Sequence, residues 1–229
     1  MFARGLLAAT LAIAGCGHVD YARTKPGTFA GSLFVMWIGE GGSSGDGLFL
    51  FVPDPNNPLT FTWTNRQGLT RQVRPEMMYT DGGSIPRIAQ VFRGFAPWGY
   101  APAYVIHDWL YVARHCNLDG TPTPTGAALA GIGFAESSEI MAAAMITLRD
   151  TGRVKRDDLV METIADAVAG PIARGHWDRK GACVDEQVKE QDRAAAEAAI
   201  PGSSRAAVLQ KSGIAPAMIV GAFAFQHQP

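Results

Sequence analysis

The stretch YTDGGSIPRIAQVFRGFAPWGYAPAYVIHDWLYVARHCN, residues 79–117, joins a polar, glycine-containing turn to a segment with helical patterning. The turn carries Asp81 and Ser84, and the helical segment carries His107, Asp108 and Tyr111. Carboxylates, imidazoles and hydroxyls are the side chains that acid–base and metal chemistry uses. We therefore take these five residues as the candidate catalytic site.

Residues 101–115 are predicted to form a helix. Tyr104, His107, Tyr111 and, more loosely, His115 recur at spacings of three to four, which places them on one face. Asp108 lies about 100° around the helix from His107, so the two side chains point in different directions. They can still border one pocket from adjacent angles.

The segments on either side of this stretch differ in pattern. Four earlier segments are rich in Phe, Trp, Val and Thr and are separated by turn residues, which favours short strands. They are residues 28–38, 48–52, 59–64 and 70–74. Residues 134–149 and 157–169 have the stripe and end signals of helices. The sequence predicts an α+β domain over residues 28–178, with a small antiparallel β-meander followed by a bundle of three or four helices.

Residues 179–229 are predicted to form an alanine-rich extension that is helical or partly disordered. Residues 186–199 and 204–211 combine alanine with charged residues, as surface helices do. Residues 214–225 are apolar, but the segment is short and Pro216 interrupts it. We expect it to pack on the domain or to contact a membrane surface rather than to span a membrane.

The composition favours a folded core and gives no support for nucleic acid as a partner. Hydrophobic residues make up 47% of the 229 residues, enough for one domain with appendages. Charged residues make up 18%, and the formal net charge is -1. Nucleic-acid binding normally needs clustered Lys and Arg, which this balance lacks.

The N-terminus has the features of a bacterial export signal. A weakly positive start at Arg4 precedes a short apolar run, and the letters IAGC at residues 13–16 resemble a lipobox. In that reading residues 1–15 are a signal peptide, Cys16 is lipidated, and residues 16–27 are a tether to the membrane. Glycine rather than aspartate follows the cysteine, which favours the outer membrane, facing the periplasm. The alternative is an ordinary signal peptide that contains a cysteine.

Two cysteines remain for the mature domain, Cys116 and Cys183. An exported protein occupies a compartment that permits disulfides, so we predict that these two residues pair. The alternative is two buried free thiols.

The motifs of the central stretch resemble those of a bacterial and phage family called domain of unknown function 1353. The turn DGGSIP at residues 81–86 is similar to its Asp-x-x-Ser-x-Pro turn, and HDWLY at residues 107–111 to its His-Asp-x-Leu-Tyr helix. A later helix at residues 160–169, followed by Gly170 and Trp177, is similar to the end of its pattern. The resemblance implies a bacterial or phage-derived protein.

This resemblance covers about residues 61–177, with one departure. The position where the family pattern has an Ala-Asp pair reads Ser137, Ser138 and Glu139 here. Either Glu139 takes the place of the aspartate or that carboxylate is absent. The family resemblance by itself implies no activity.

A looser resemblance is to secreted phospholipase A2, whose helix has a His-Asp-x-x-Tyr motif. It implies His107 as the general base on a water, Asp108 as a calcium ligand, and the turn at Asp81 as a source of further oxygen ligands. Glu139 or Asp166 would orient the histidine. The flanking cysteine pairs of that enzyme class are missing from this chain.

Three other interpretations of the same residues stay open. The His107 and Asp108 pair could hydrogen-bond the Asp81 turn and only stabilise the fold. Ser84, His107 and Asp81 could form a triad, although the Gly-x-Ser-x-Gly elbow is absent. A transition-metal site could use a separate set of ligands, although their spacing does not match compact zinc motifs. That set is His107, His115, Cys116 and His176.

Two function classes follow from these observations. One is a lipid-anchored hydrolase of the cell envelope that acts on phospholipid or peptidoglycan, with His107 activating water and Asp108 positioning either a cation such as calcium or the imidazole. The other is a non-catalytic envelope or phage-derived lipoprotein that binds a partner, in which the His-Asp cluster only holds the fold together.

Overall fold

The computed structural model describes residues 19–40, 47–80, 100–154 and 158–226. In this part of the chain six strands form an antiparallel sheet. They are β1 (Thr28–Gly39), β2 (Leu48–Pro53), β3 (Thr60–Thr64), β4 (Thr70–Val73), β5 (Met78–Thr80) and β6 (Met218–Phe225). A single 3-10 turn, Tyr21–Arg23, precedes β1. The predicted α+β class is confirmed.

The strand order is β4-β3-β1-β2-β5, and β6 also pairs with β1. This is not the sequential order of a simple meander, because β1 lies between β3 and β2. The reason is the length of β1, which at 12 residues can pair with more than one strand. Its first three residues pair with β3, and the rest pairs with β2 and β6.

Gly31 lies where the partners of β1 change. Pairing with β3 ends at Ala30, and pairing with β6 begins at Gly31 itself. The glycine has φ +82°, and a Cβ atom there would lie 2.1 Å from the carbonyl oxygen of Pro58. Only glycine can adopt this positive φ without strain and leave room for the Pro58 carbonyl. The close approach allows the loop after β2 to cross β1.

The helices of the described residues follow the sheet and precede β6. They are α1 (Ala101–Leu118), α2 (Pro124–Ala127), α3 (Phe134–Asp150), α4 (Asp158–Val168), α5 (Pro171–Trp177), α6 (Cys183–Glu186), α7 (Glu190–Ala199) and α8 (Ser204–Lys211). The longer ones correspond to the segments expected to be helical. The short helices α2, α5 and α6 were not expected, because one or two turns are too short to show a helical period.

Apolar side chains cover both faces of the sheet. On one face Leu33 and Phe61 belong to the main core with residues of α1 and α3 such as Ile106 and Met145. On the other face a second cluster brings Met36, Leu50 and Val52 against Val188, Ala196 and Ile200 of the C-terminal region. Alternate residues of a strand point to opposite faces, so β1 serves both cores.

The segment at residues 214–225, expected to pack on the domain or to contact a membrane surface, contains β6. Residues 218–225 run antiparallel to residues 31–37 of β1. The N-terminal end of β6 remains exposed, with Met218 59% and Val220 49% accessible. Across the described ranges, no helix combines the length and the apolar character that crossing a membrane requires.

A disulfide joins Cys116 of α1 to Cys183 of α6. This is the pair expected from the sequence, and the two residues are 67 positions apart. In the chain-entropy model a loop of this size contributes on the order of 4 kcal/mol by restricting the unfolded chain. The bond fixes the start of α6 against the C-terminal end of α1.

Candidate functional site

One face of α1 carries a row of three rings. His107, Tyr111 and His115 follow one another at intervals of four residues, which an α-helix stacks along one side. The ring centroids of His107 and Tyr111 are 4.8 Å apart, and those of Tyr111 and His115 are 6.2 Å apart. The expected helical face is therefore present. Pro102 near the start of α1 is compatible with helix initiation.

His107 differs from the other two members of this row in having a buried polar atom without a hydrogen-bond partner in the described residues. The residue is 9% exposed. Its Nδ1 lies 3.8 Å from Oδ1 of Asp108, which is too far for a hydrogen bond. Its Nε2 is buried and has no hydrogen-bond partner among the residues that the structure describes. One ring nitrogen thus lies near a carboxylate, and the other is buried without a partner in the described part of the chain.

Tyr111 connects the row to α5. Its hydroxyl donates a hydrogen bond of 3.2 Å to the carbonyl oxygen of Ala173, and its ring meets Trp177 edge-on at 5.1 Å. Burial, with smaller effects from the charges of Asp108 and Asp178, raises the pKa of the Tyr111 hydroxyl. The hydroxyl is therefore protonated at neutral pH and serves a backbone carbonyl.

His115 is held from two sides. Its Nδ1 lies 2.7 and 2.9 Å from the two carboxylate oxygens of Glu186, and its Nε2 lies 2.7 Å from the carbonyl oxygen of His176. Burial of the ring opposes its charge, but the hydrogen bonds to Glu186 and to the His176 carbonyl outweigh burial and raise the pKa of His115. No local sequence motif marks Glu186 as a partner of His115, because 71 residues separate the two.

Of the expected site residues, two lie outside the described part of the chain and two others are not hydrogen-bonded to His107 within it. Asp81 and Ser84 lie outside the described residues. Glu139 is partly buried and Asp166 is exposed, and neither is hydrogen-bonded to His107 in the described part of the chain. The orienting acid expected for His107 is thus not supplied by either residue there.

The serines at the departure from the family pattern have a packing role. Both Ser137 and Ser138 are fully buried. The Ser137 hydroxyl donates to the carbonyl oxygen of Phe134, and the Ser138 hydroxyl contacts the carbonyl oxygens of Phe134 and Val168. Ser138 therefore joins α3 to the end of α4.

Metal ligands are not gathered in the described ranges. Within them no group of three or more His, Cys, Asp or Glu residues lies close enough to hold a metal ion. Of the expected calcium ligands, Asp108 is described and Asp81 is not. The transition-metal set is not assembled, because Cys116 is in the disulfide and both nitrogens of His115 are engaged.

Comparison with known proteins supports the resemblance of the central stretch. The model of the family described as "Protein of unknown function (DUF1353)" matches residues 59–149. The match runs from the start of β3 to the end of α3 and includes His107, Asp108 and Tyr111. A search of curated proteins and a search of solved structures each found no match.

Proposed function

We propose that this chain is an exported, lipid-anchored hydrolase of the bacterial cell envelope, and that His107 is its general base. The observation that carries the proposal is the buried Nε2 atom of His107, which has no hydrogen-bond partner within the described ranges. Leaving a buried polar atom without a partner costs about 1–3 kcal/mol. An atom retained at that cost calls for an explanation, and a bound water or substrate supplies one.

Asp108 is the carboxylate next to this base. Its Oδ1 lies 3.8 Å from Nδ1 of His107, so a carboxylate lies beside the ring nitrogen that does not take part in the proposed proton transfer. In the proposed step a water oxygen attacks the carbonyl or phosphoryl centre of the substrate while its proton moves to Nε2. The same proton then passes to the leaving group. Calcium, if bound by Asp108 and the turn at Asp81, would polarise the bond under attack.

The proposed substrates are the polymers and lipids that an anchored envelope protein can reach, namely phospholipid and peptidoglycan. This part of the proposal is supported by the sequence IAGC at residues 13–16. Acyl chains on Cys16 would hold the protein at a membrane, because each buried methylene contributes about 0.8 kcal/mol. Replacing Cys16 by Ser should move the protein from the membrane fraction to the soluble fraction. A C16S variant that remains membrane-bound would contradict the lipid anchor.

The hydrolase proposal is tested with His107→Ala and a matched control. His176 is exposed, and only its backbone carbonyl contacts His115, so His176→Ala removes a histidine side chain without touching the site. Both variants are incubated with phospholipid vesicles and with purified peptidoglycan, each with calcium or with EDTA. We expect H107A to reduce turnover by at least about 10²-fold, as loss of a general base does. H176A should keep wild-type turnover, and both melting temperatures should stay within a few degrees of wild type.

A second candidate function is favoured by the burial of the His107 ring. At 9% exposure and 4.8 Å from the Tyr111 ring, His107 has the surroundings of a packing residue. In a non-catalytic binding lipoprotein, H107A would lower the melting temperature strongly, and the wild-type protein would turn over neither substrate. Calcium would then leave the melting temperature unchanged, whereas a calcium-binding site would raise it by mass action.

A further inference from the structure

The charged pair beside the disulfide is the strongest feature that the proposed function does not use. His115 is 4% exposed, and each of its ring nitrogens lies within hydrogen-bond distance of an acceptor. Carboxylates and backbone carbonyls can only accept, so both nitrogens must donate. A neutral imidazole has one N–H group and satisfies one acceptor. Only the doubly protonated ring satisfies Glu186 and the His176 carbonyl together.

The acceptor on Nδ1 is positioned by the disulfide. Cys183 is the first residue of α6 and Glu186 is its last, so one helical turn separates the bridged sulfur from the carboxylate. On the other side Cys116 directly follows His115 in α1. The two bonds therefore connect the same pair of helices through adjacent positions. α6 therefore cannot move relative to α1 without disturbing both the disulfide and the hydrogen bonds between His115 and Glu186.

We propose that His115, Cys116, Cys183 and Glu186 form a single latch, in which the disulfide and the proton on His115 stabilise each other. The bridge holds the Glu186 carboxylate against the ring and so favours the charged imidazolium. By reciprocity, the charged ring favours the oxidised cysteines, because two linked equilibria affect one another by the same factor. The latch fastens α6 and the end of α5 to α1.

The other charged groups around His115 do not reverse this preference. Arg179 opposes protonation of the ring, as burial does, and Glu186 and the His176 carbonyl favour it. The charge of His115 contributes to lowering the pKa of Asp119, after the hydrogen bonds from the backbone N–H groups of Gly181 and Cys183. Tyr111 meets the ring edge-on and carries no charge at neutral pH.

The latch also bears on the candidate site through α5. The His176 carbonyl that accepts from His115 and the Ala173 carbonyl that accepts from Tyr111 both belong to this helix. Tyr111 in turn packs against His107. Opening the latch would free one end of α5 and so loosen the packing beside His107.

The test compares the thiol–disulfide equilibrium of wild type and Glu186→Gln in dithiothreitol buffers. The two thiols of dithiothreitol close into a cyclic disulfide, and Cys116 and Cys183 receive the two electrons and two protons and become thiols. E186Q retains the disulfide and the shape of the side chain but removes the charge that the imidazolium needs. His176→Ala is the control, because it keeps the backbone carbonyl on Nε2.

At pH 6.0 we expect the disulfide of E186Q to be reduced at a ratio of oxidised to reduced dithiothreitol at which the wild-type disulfide stays intact. The equilibrium constants for reduction of the two proteins should differ by about fivefold or more. The difference should shrink as the pH rises through the folded-state pKa of His115, and H176A should follow wild type throughout. In oxidised wild type, an NMR titration should place that pKa above the ordinary value of about 6.5. Equal equilibrium constants for wild type and E186Q at pH 6.0 would overturn the latch, whether or not reduction unfolds the chain.

Discussion

Arg71 of β4 and Glu136 of α3 form a bidentate ion pair that connects the sheet to the helices. Nε of Arg71 lies 2.7 Å from Oε1 of Glu136, and Nη2 lies 3.0 Å from Oε2. The two side chains are only 23% and 19% exposed, so solvent screens the pair less than a surface pair. The hydrogen bonds to Glu136 outweigh burial and raise the pKa of Arg71. This pair joins two segments that are 65 residues apart.

Replacing Arg71 by Lys should therefore destabilise the fold. A lysine keeps the charge but cannot make two parallel hydrogen bonds to one carboxylate. We expect a loss of about 1–3 kcal/mol in the free energy of unfolding, measured by urea denaturation. The control is Arg66→Lys, because Arg66 is 43% exposed and lies 3.7 Å from Asp20. R66K should stay within about 0.5 kcal/mol of wild type. Equal losses in the free energy of unfolding of R71K and R66K would show that the bidentate geometry contributes nothing to stability.

The second prediction concerns the close approach at Gly31. Gly31→Ala forces a Cβ atom to within 2.1 Å of the Pro58 carbonyl oxygen, in addition to a left-handed backbone. Gly68→Ala is a matched control, because Gly68 has nearly the same φ, +81°, but nothing within 4 Å of its added Cβ. G68A should cost about 1–2 kcal/mol from backbone strain alone.

G31A should cost clearly more than G68A, since backbone atoms of the loop after β2 must also move. Thermal unfolding followed by circular dichroism compares the two. If both variants melt at the same temperature, the contact with Pro58 is not as close as the structure has it.

The third prediction concerns how Asp119 makes the stability of the fold depend on pH. Asp119 accepts hydrogen bonds from the backbone N–H groups of Gly181 and Cys183, at 2.7 and 3.1 Å, and these lower its pKa. A carboxyl with a depressed folded-state pKa stabilises the fold above its unfolded-state pKa. That contribution is lost as the pH falls through the folded-state value, which lies below 3.8.

Asp119→Asn should therefore lower the free energy of unfolding at pH 7, and the difference from wild type should diminish below pH 3.8. Asp185→Asn serves as the comparison, because Asp185 is exposed on the neighbouring helix α6 and makes no side-chain hydrogen bond in the described part of the chain. Urea titrations at a series of pH values measure both. A D119N penalty that persists unchanged in acid would point to shape rather than charge.

The fourth prediction separates a structural from a catalytic role of Tyr111. Its hydroxyl donates to the carbonyl oxygen of Ala173, so Tyr111→Phe leaves that carbonyl without its partner. We expect a loss of about 0.5–1.5 kcal/mol in stability. Turnover by the proposed hydrolase should be retained, because the ring still packs against His107. Loss of turnover with unchanged stability would instead make the hydroxyl part of the chemistry.

The elements that sequence patterns predicted well are those whose residues repeat. The α1 face appeared as Tyr104, His107 and Tyr111 at helical spacing, and the structure stacks the rings of His107 and Tyr111 along that face. The early strands were found from runs of Phe, Trp, Val and Thr. A local residue pattern does not show which strands pair with each other, however, so the position of β1 between β3 and β2 was not predictable.

The features that were missed depend on distant residues. β6 reads as an apolar segment with a proline before it, and only its pairing with β1 makes it a strand. In the same way Glu186 is an ordinary surface acid until α6 is placed against His115. Asp81 and Ser84, which the family resemblance made prominent, lie outside the described residues, so their place beside His107 stays a prediction.

The pairing of β6 with β1 has a consequence for biogenesis. Gly31 and Phe225 are neighbours in the sheet but about 190 residues apart along the chain, and contacts between such distant residues form slowly. Until residue 225 has been made, the side of β1 that receives β6 has no complete partner strand for its amide and carbonyl groups. An incomplete chain would expose this unpaired strand edge to strands of other polypeptides.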